Sequence, residues 1–341
     1  MGEGVKSRLP AVTAMAHPNL ALVKYWGQRD AARQLPLNAS ISVNLSGATT
    51  TTTVQFDAAL EQDELELNGA PPSPAALARV SAHLQRIRDL AGSTACARVR
   101  SRNSFPAGIG IASSAAGFAA LTLAGTRAAG LTLEARELSA LARLGSGSAC
   151  RSIPDGFAEW LVGSGEDSYA VQLAKPEHWN LQIVTVYFDP KPKAISSLEG
   201  HRAAPSSPFF EARLQQLGET LNTVRRAVLE RDFGTLGMAV EREALSLHLI
   251  AMSSRVAEQP QLSGIYYWQP QTLALIHAVQ RWRTEGLEVY FTLDAGPAVH
   301  LLVEAANRAA LLEAVGGALG ELGGQVLVSA PGMGARVVAG G

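Results

Sequence analysis

The sequence predicts a mixed α+β chain in two halves, divided near residue 190. Three observations predict it. Strand-like and helix-like segments both recur through the first half. Pro190 to Pro208 is rich in proline and serine, as a linker or mobile loop would be. Beyond it the texture changes to long amphipathic helices. The length of 341 residues accommodates two domains, placed at 1–190 and 191–341.

The elements follow in order. Thr49 to Phe56 is β-branched and predicts a strand, and Leu65 to Leu67 a short one turned by Asn68-Gly69. Leu77, Val80, Leu84 and Ile87 recur at helical spacing over Ser73 to Leu90, with Ser73 as N-cap before Pro74. Ala95 to Ser101 alternates like a strand. A Gly/Ser-rich turn leads into a small-residue helix from about Ala112 to Ala129, and Leu133 to Leu144 is a second helix. Asp167 to Leu173 and Leu181 to Phe188 predict strands. Helices follow at Pro208 to Glu230, Phe233 to Leu247 and Gln271 to Thr284. Glu288 to Leu293 and Val299 to Glu304 pair around Asp294-Ala-Gly-Pro297, and a helix and a final strand, Gln325 to Ser329, close the chain. The residues before Ala16 are expected to be disordered.

Composition narrows the function. Hydrophobic residues make up 47%, enough for a packed core. Twenty-nine basic residues face 30 acidic ones, which argues against a protein that coats nucleic acid. No run is apolar and long enough for a membrane span, and the N-terminus lacks the apolar core of a secretory signal. Two cysteines, Cys96 and Cys150, make neither a disulfide scaffold nor a metal site, and fit a reducing cytoplasm. The seven histidines show no metal spacing, and His248 is expected at a surface or interface.

Four features could carry chemistry. Pro106-Ala-Gly-Ile-Gly-Ile-Ala-Ser-Ser-Ala115 brings glycines 108 and 110 before a helix opened by Ser113 and Ser114, a place for an anion or a tight strand-to-helix turn. It has neither the Gly-Lys-Ser/Thr ending nor the third glycine of the common nucleotide loops. Gly145-Ser-Gly-Ser-Ala-Cys-Arg-Ser152 sets hydroxyls beside Arg151, which could grip a phosphate or carboxylate, or pair with Asp155 or Glu159. Lys24, in Leu20-Ala-Leu-Val-Lys-Tyr-Trp-Gly27, is either a snorkelling edge residue or a buried cation with an anionic partner, and Asn19 could reach the same partner. Asp294 either protrudes into a cleft from a strand end or initiates a turn. Cations, anion loops and one isolated carboxylate together suggest phosphoryl chemistry on a small molecule.

These residues, taken in order, resemble the mevalonate diphosphate decarboxylases of the GHMP kinase superfamily. The markers are Asn19 with Lys24-Tyr-Trp-Gly27 and Arg29-Asp30, Leu35-Pro-Leu-Asn38 with Ser40, Phe105-Pro106 through Ala115, Gly145 to Arg151, Ser196-Ser197 with Gly200, and Asp294 to Pro297. The resemblance covers about His17 to Glu304. It implies the GHMP kinase α+β fold, with a first half like ribosomal protein S5 domain 2 and a ferredoxin-like second half. It implies ATP held by Ala107, Gly108, Gly110, Ala112, Ser113 and Ser114, with Ser101 and Asn103 lining the nucleotide site. Mg²⁺ would bridge the phosphates, with Ser114 as its contact on the protein. Asp294 is implied to act on the 3-hydroxyl of a mevalonate as base or orienting group. Lys24 would balance charge on the transferring phosphoryl group, Arg151 and Asn19 would hold the substrate carboxylate, and Tyr25, Ser146, Ser148 and Ser197 would assist binding. A cytoplasmic homodimer is also implied, and the run Ile265-Tyr-Tyr-Trp268 could serve an interface, a core or a cleft wall.

The chain departs from the family pattern at the diphosphate end. The lysine expected after Tyr-Trp-Gly is Gln28, the residue after Ser196-Ser197 is Leu198, and a Gly-Met pair becomes Gly200-His201. Losing one charged contact would cost on the order of 1.5–3 kcal/mol of affinity for an anion. The expected substrate is therefore 5-phosphomevalonate, giving isopentenyl phosphate. The alternatives are the diphosphate enzyme with Arg202 or His201 filling the gap, a kinase-like relative that does not decarboxylate, and a non-catalytic binder on the same fold.

Overall fold

The computed structural model describes residues 9–106, 111, 113–188 and 194–338. Its first sheet has five strands in the order Arg336–Val338, Val12–Ala16, Thr50–Asp57, Cys96–Asn103 and Glu64–Leu67. All neighbours are antiparallel except the last two. Along Thr50–Asp57 burial alternates residue by residue, the signature of a sheet with one covered face. Thr50, Thr52, Val54 and Phe56 point inward, and Val54 and Phe56 pack with the small-residue helix Ser113–Ala128 and the helix Pro74–Ala91. The latter opens where its sequence requires: Ser73 accepts from the Ala76 N–H at 3.2 Å, and Gly92, at φ 62°, ends it.

The second sheet runs Ala170–Ala174, Phe157–Trp160, Ser40–Asn44 and Asn19–Val23. Three of its strands are buried on both faces, so their sequences carry no alternation. The third runs Tyr290–Thr292, Val299–Glu304, Leu181–Tyr187 and Gln325–Ser329. The helices Phe210–Glu230 and Phe233–Ser253 join second and third sheets through one core that includes Leu20, Val43, Leu217, Val240, Ile183 and Leu302. The halves meet tightly: a Cβ on Gly47 would lie 2.2 Å from the Val328 carbonyl oxygen.

The sheets do not part at residue 190. Leu181–Tyr187 is central in a sheet otherwise made of later strands, and Arg336–Val338 returns to pair with Val12–Ala16. Several expectations need correction. Residues 12–16 form a strand held by Thr50–Asp57 rather than a disordered leader. The stretch expected as a loop contains the helix Ser197–Ala203, started by a reciprocal cap between Ser196 and Glu199, and the 3₁₀ turn Ala204–Ser206. Gln325–Ser329 is followed by the further strand Arg336–Val338. Among the described residues, no helix is long and apolar enough to cross a membrane.

Candidate active site

Lys24 leaves the edge strand Asn19–Val23 just after its pairing slips by one residue between Ala21 and Val23. The Ala21 carbonyl there accepts from Lys24 Nζ at 2.6 Å. The same ammonium donates to Asp294 Oδ1 at 2.8 Å across 270 residues of sequence. Lys24 is 1% exposed and the Asp294 side chain 22%, so the carboxylate is the member of the pair that opens outward. Burial pulls the Lys24 ammonium below its ordinary value, and Asp294 opposes that pull. Burial would raise the Asp294 carboxyl, yet Lys24 and the other nearby cations hold it below the ordinary carboxylate value.

The peptide group of Lys24 is braced separately. Its N–H donates to Glu243 Oε1 at 2.9 Å. Its carbonyl accepts from Asn38 Nδ2 at 2.9 Å and Arg213 Nη2 at 3.2 Å. Arg213 and Glu243 form a buried ion pair between the two long helices. Burial raises the Glu243 carboxyl, with Arg213 opposing.

Arg151 is 3% exposed, not a solvated cation. Its Nε donates to Asn19 Oδ1 at 3.1 Å and its Nη1 to Ser40 Oγ at 2.8 Å, and its guanidinium lies 5.7 Å from the Trp160 ring centre. Asn19 in turn donates to the Ser148 carbonyl at 3.0 Å and Ser152 Oγ at 2.8 Å. Asn19 therefore orients Arg151 directly. The acidic residues near Arg151 in sequence have other partners: Glu159 pairs with Arg225 at 2.6 Å, and Asp155 accepts from the Gly334 N–H at 2.5 Å. Among the described residues no carboxylate pairs with Arg151, which leaves its charge available to a ligand.

A cavity of about 600 Å³ gathers these groups. Asn19, Lys24, Tyr25, Gln28, Ser113, Ser114, Ser146, Ser148, Arg151, Ser197 and Asp294, all singled out in the sequence, line it. Ser114 and Ser146 face each other at 3.2 Å, bringing the two serine-rich loops together. Ala107, Gly108, Gly110 and Ala112 lie outside the described residues. Ser101 and Asn103 are on the Cys96–Asn103 strand, bonded to Thr52 at 2.9 Å and Thr50 at 2.7 Å, and are not among the lining residues. Among the described residues no group of three His, Cys, Asp or Glu could hold a metal. Ser113 and Ser114 line the cavity and offer hydroxyl oxygens that could hold a Mg²⁺ ion together with nucleotide phosphates, the Ser114 hydroxyl being within reach of Ser146.

The end lined by Gln28, Ser197 and Leu198 is neutral. Gln28 Nε2 donates to the Tyr25 hydroxyl at 2.6 Å and to Gln34 Oε1 at 2.8 Å, so its NH₂ is occupied, while its Oε1 is buried with no partner among the described residues. Arg202 points outward, exposed, from its helix.

Sequence reasoning passed over several residues. Arg79 and Arg86, seven apart on one helix, also line the cavity, and Arg79 donates to the Gly145 carbonyl at 3.2 Å. Their spacing of two turns was the available signal. Glu243 and Arg213 carried none, since only the tertiary fold brings them to Lys24. His248 is 1% exposed rather than at a surface, with its ring 5.1 Å from that of Trp268. In the run from Ile265 to Trp268, Ile265 and Tyr267 are buried and Tyr266 is exposed.

The chain is similar to known proteins over most of its length. Residues 16–170 match the diphosphomevalonate decarboxylase-like N-terminal domain, and residues 183–323 the mevalonate 5-diphosphate decarboxylase C-terminal domain. The phosphomevalonate decarboxylase of Haloferax volcanii is 34% identical over 291 residues, covering 85% of this chain and 87% of its own. The mevalonate diphosphate decarboxylase of Enterococcus faecalis, solved in a study of its mevalonate diphosphate mediated ATP binding, superposes with a TM-score of 0.89 at 34% identity. That match covers 98% of this chain and all of the other. The MDDEF complex with MVAPP, AMPPCP and magnesium superposes with a TM-score of 0.90 at 35% identity, over 98% of this chain and 100% of that one.

Proposed function

The chain belongs to the diphosphomevalonate decarboxylase family, and from that premise we propose that it decarboxylates 5-phosphomevalonate to isopentenyl phosphate at the expense of ATP. The observation that carries the chemistry is the Lys24–Asp294 pair on the wall of a cavity it shares with Arg151 and two serine-rich loops. Relatives solved with an ATP analogue, magnesium and MVAPP support the reactant set.

Asp294 accepts or orients the proton of the 3-hydroxyl, and that oxygen takes the terminal phosphoryl group as ADP departs. The tertiary C–O bond then breaks, the carboxylate leaves as CO₂, and its electron pair forms the new double bond while phosphate is released. Lys24, fixed by Ala21 and Asp294, meets the charge that gathers on the transferring group. Arg151, aimed by Asn19 and Ser40, holds the carboxylate until it departs. Ser113, Ser114 and Arg79 are the lining residues that would hold the nucleotide phosphates and their Mg²⁺, which would add charge neutralisation there. A homodimer in the cytoplasm is part of the same proposal, and sedimentation of the purified chain checks the dimer.

The choice of the monophosphate rests on the neutral end of the cavity, with the Gln28 NH₂ already bonded and Leu198 unable to donate. The competing reading, the 5-diphosphate, draws on the Enterococcus enzyme at the same 34% identity as the Haloferax one. Release of ADP and CO₂ from mevalonate, its 5-phosphate and its 5-diphosphate in parallel decides between them. The highest kcat/KM is expected for the 5-phosphate, and a higher value for the 5-diphosphate overturns the choice. Binding without release of either product would leave only a non-catalytic binder. The double variant Gln28→Lys, Leu198→Arg is expected to move the preference toward the diphosphate by about tenfold or more.

A further inference from the structure

His201 stands on the cavity wall beside that neutral end. Its ring is held on three sides. The Gly27 N–H donates to Nδ1 at 3.0 Å. The Tyr25 ring lies against it at 4.2 Å between centres, and the Trp26 ring at 4.6 Å. Since Nδ1 accepts, the ring proton of the neutral imidazole sits on Nε2. Burial, helped by Arg151, keeps the ring neutral, with a pKa of about 3. Nε2 has no hydrogen-bond partner among the described residues, and the residue lines the cavity. A neutral ring with an uncommitted N–H thus stands on a cavity wall shared with Tyr25, Gln28 and Ser197.

We propose that His201 Nε2–H donates a hydrogen bond to the phosphate monoester of the substrate and is a specificity-determining residue for it. This rests on the reading that the cavity takes a phosphorylated mevalonate. A neutral donor satisfies one phosphate oxygen without adding charge. A second phosphate would bring further negative charge to an end where Gln28 and Leu198 supply no cation of their own, so the site discriminates by what it withholds. The aromatic faces of Tyr25 and Trp26 fix the direction of the N–H, which limits the ordering cost of using it.

Two substitutions separate this role from the support of Gly27. Asn at this position can present an oxygen where Nδ1 stands but has no donor at the Nε2 position. Gln can present its NH₂ near Nε2 but not the Nδ1 acceptor. Titration of wild type, His201→Asn and His201→Gln with 5-phosphomevalonate, without nucleotide, is read beside thermal melting and steady-state KM. His201→Asn is expected to bind at least tenfold more weakly at near-unchanged Tm, with KM rising and kcat holding. His201→Gln is expected to bind within about threefold of wild type despite a lower Tm. Equal losses in both variants, or the opposite ranking, would assign His201 to the Trp26-Gly27 backbone alone and overturn the proposal. If wild type prefers the 5-diphosphate, the substrate choice falls separately, and the ranking measured with that ligand still decides whether Nε2 donates.

Discussion

Asp294 shows how much one carboxylate depends on what surrounds it. Alone at a buried strand end it would hold its proton; with Lys24 at 2.8 Å it is ionised below the ordinary range. A depressed folded value means that its favourable pairing is fully present above the unfolded pKa of about 3.9 and is lost only as pH falls through the folded one. Turnover is therefore expected to show no acid limb from Asp294 between pH 7 and pH 5, which a kcat profile over that interval checks. Asp294→Asn keeps the shape and a contact to Lys24 but removes the proton acceptor. It should lower kcat by about 10²–10⁴ while leaving substrate affinity nearly intact, as single-turnover ADP release and equilibrium titration would show. The sequence admitted two readings each of Lys24, Arg151 and Asp294. A lysine amid apolar neighbours looks alike on an edge or in a core, and only its partner 270 residues away decides.

The long helices of the second half reach the site through Glu243 and Arg213, which hold the Lys24 peptide by its N–H and its carbonyl. Glu243→Gln would leave the Arg213 charge buried and unpaired, costing about 3–5 kcal/mol of stability by urea denaturation. It should also slow kcat several-fold, assayed well below the melting point, because the ammonium would no longer be fixed against Ala21 and Asp294. An unchanged kcat in a destabilised variant would confine the pair to holding the helices together. Legibility at this scale followed local signals. Pro74–Ala91 was visible because its cap, its first-turn proline and its apolar spacing all agree. Asn19–Val23 and Ser40–Asn44 were not, because burial on both faces erases the alternation that marks a strand. The helix at Ser197 was hidden by a Pro/Ser-rich stretch whose order comes from one reciprocal cap and the packing of Ile195, Ala203 and Ala204. The anion loops were legible as motifs, whereas their meeting through Ser114 and Ser146 was not.

Across the whole molecule, His83, His201 and His248 have folded pKa values of about 3 and His300 about 4, all lowered from 6.5 by burial. Between those values and 6.5 the unfolded chain binds protons that the folded chain refuses, so stability falls as pH drops. Each histidine contributes a slope of about 1.4 kcal/mol per pH unit there. Chemical denaturation at pH 7.5, 6 and 5 should show a steepening loss, whereas flat stability over that range would mean these rings are charged in the fold. Both halves of the α+β architecture were legible from their helices and turns, but their interlacing was not, since a three-residue strand has no periodicity to read. That last strand has a consequence for how the protein is born. The hydrogen-bonding edge of Val12–Ala16 is synthesised long before its neighbour Arg336–Val338. During synthesis the first sheet must wait with one flank bare until that strand emerges, so nascent chains stay open to chaperone capture over the interval.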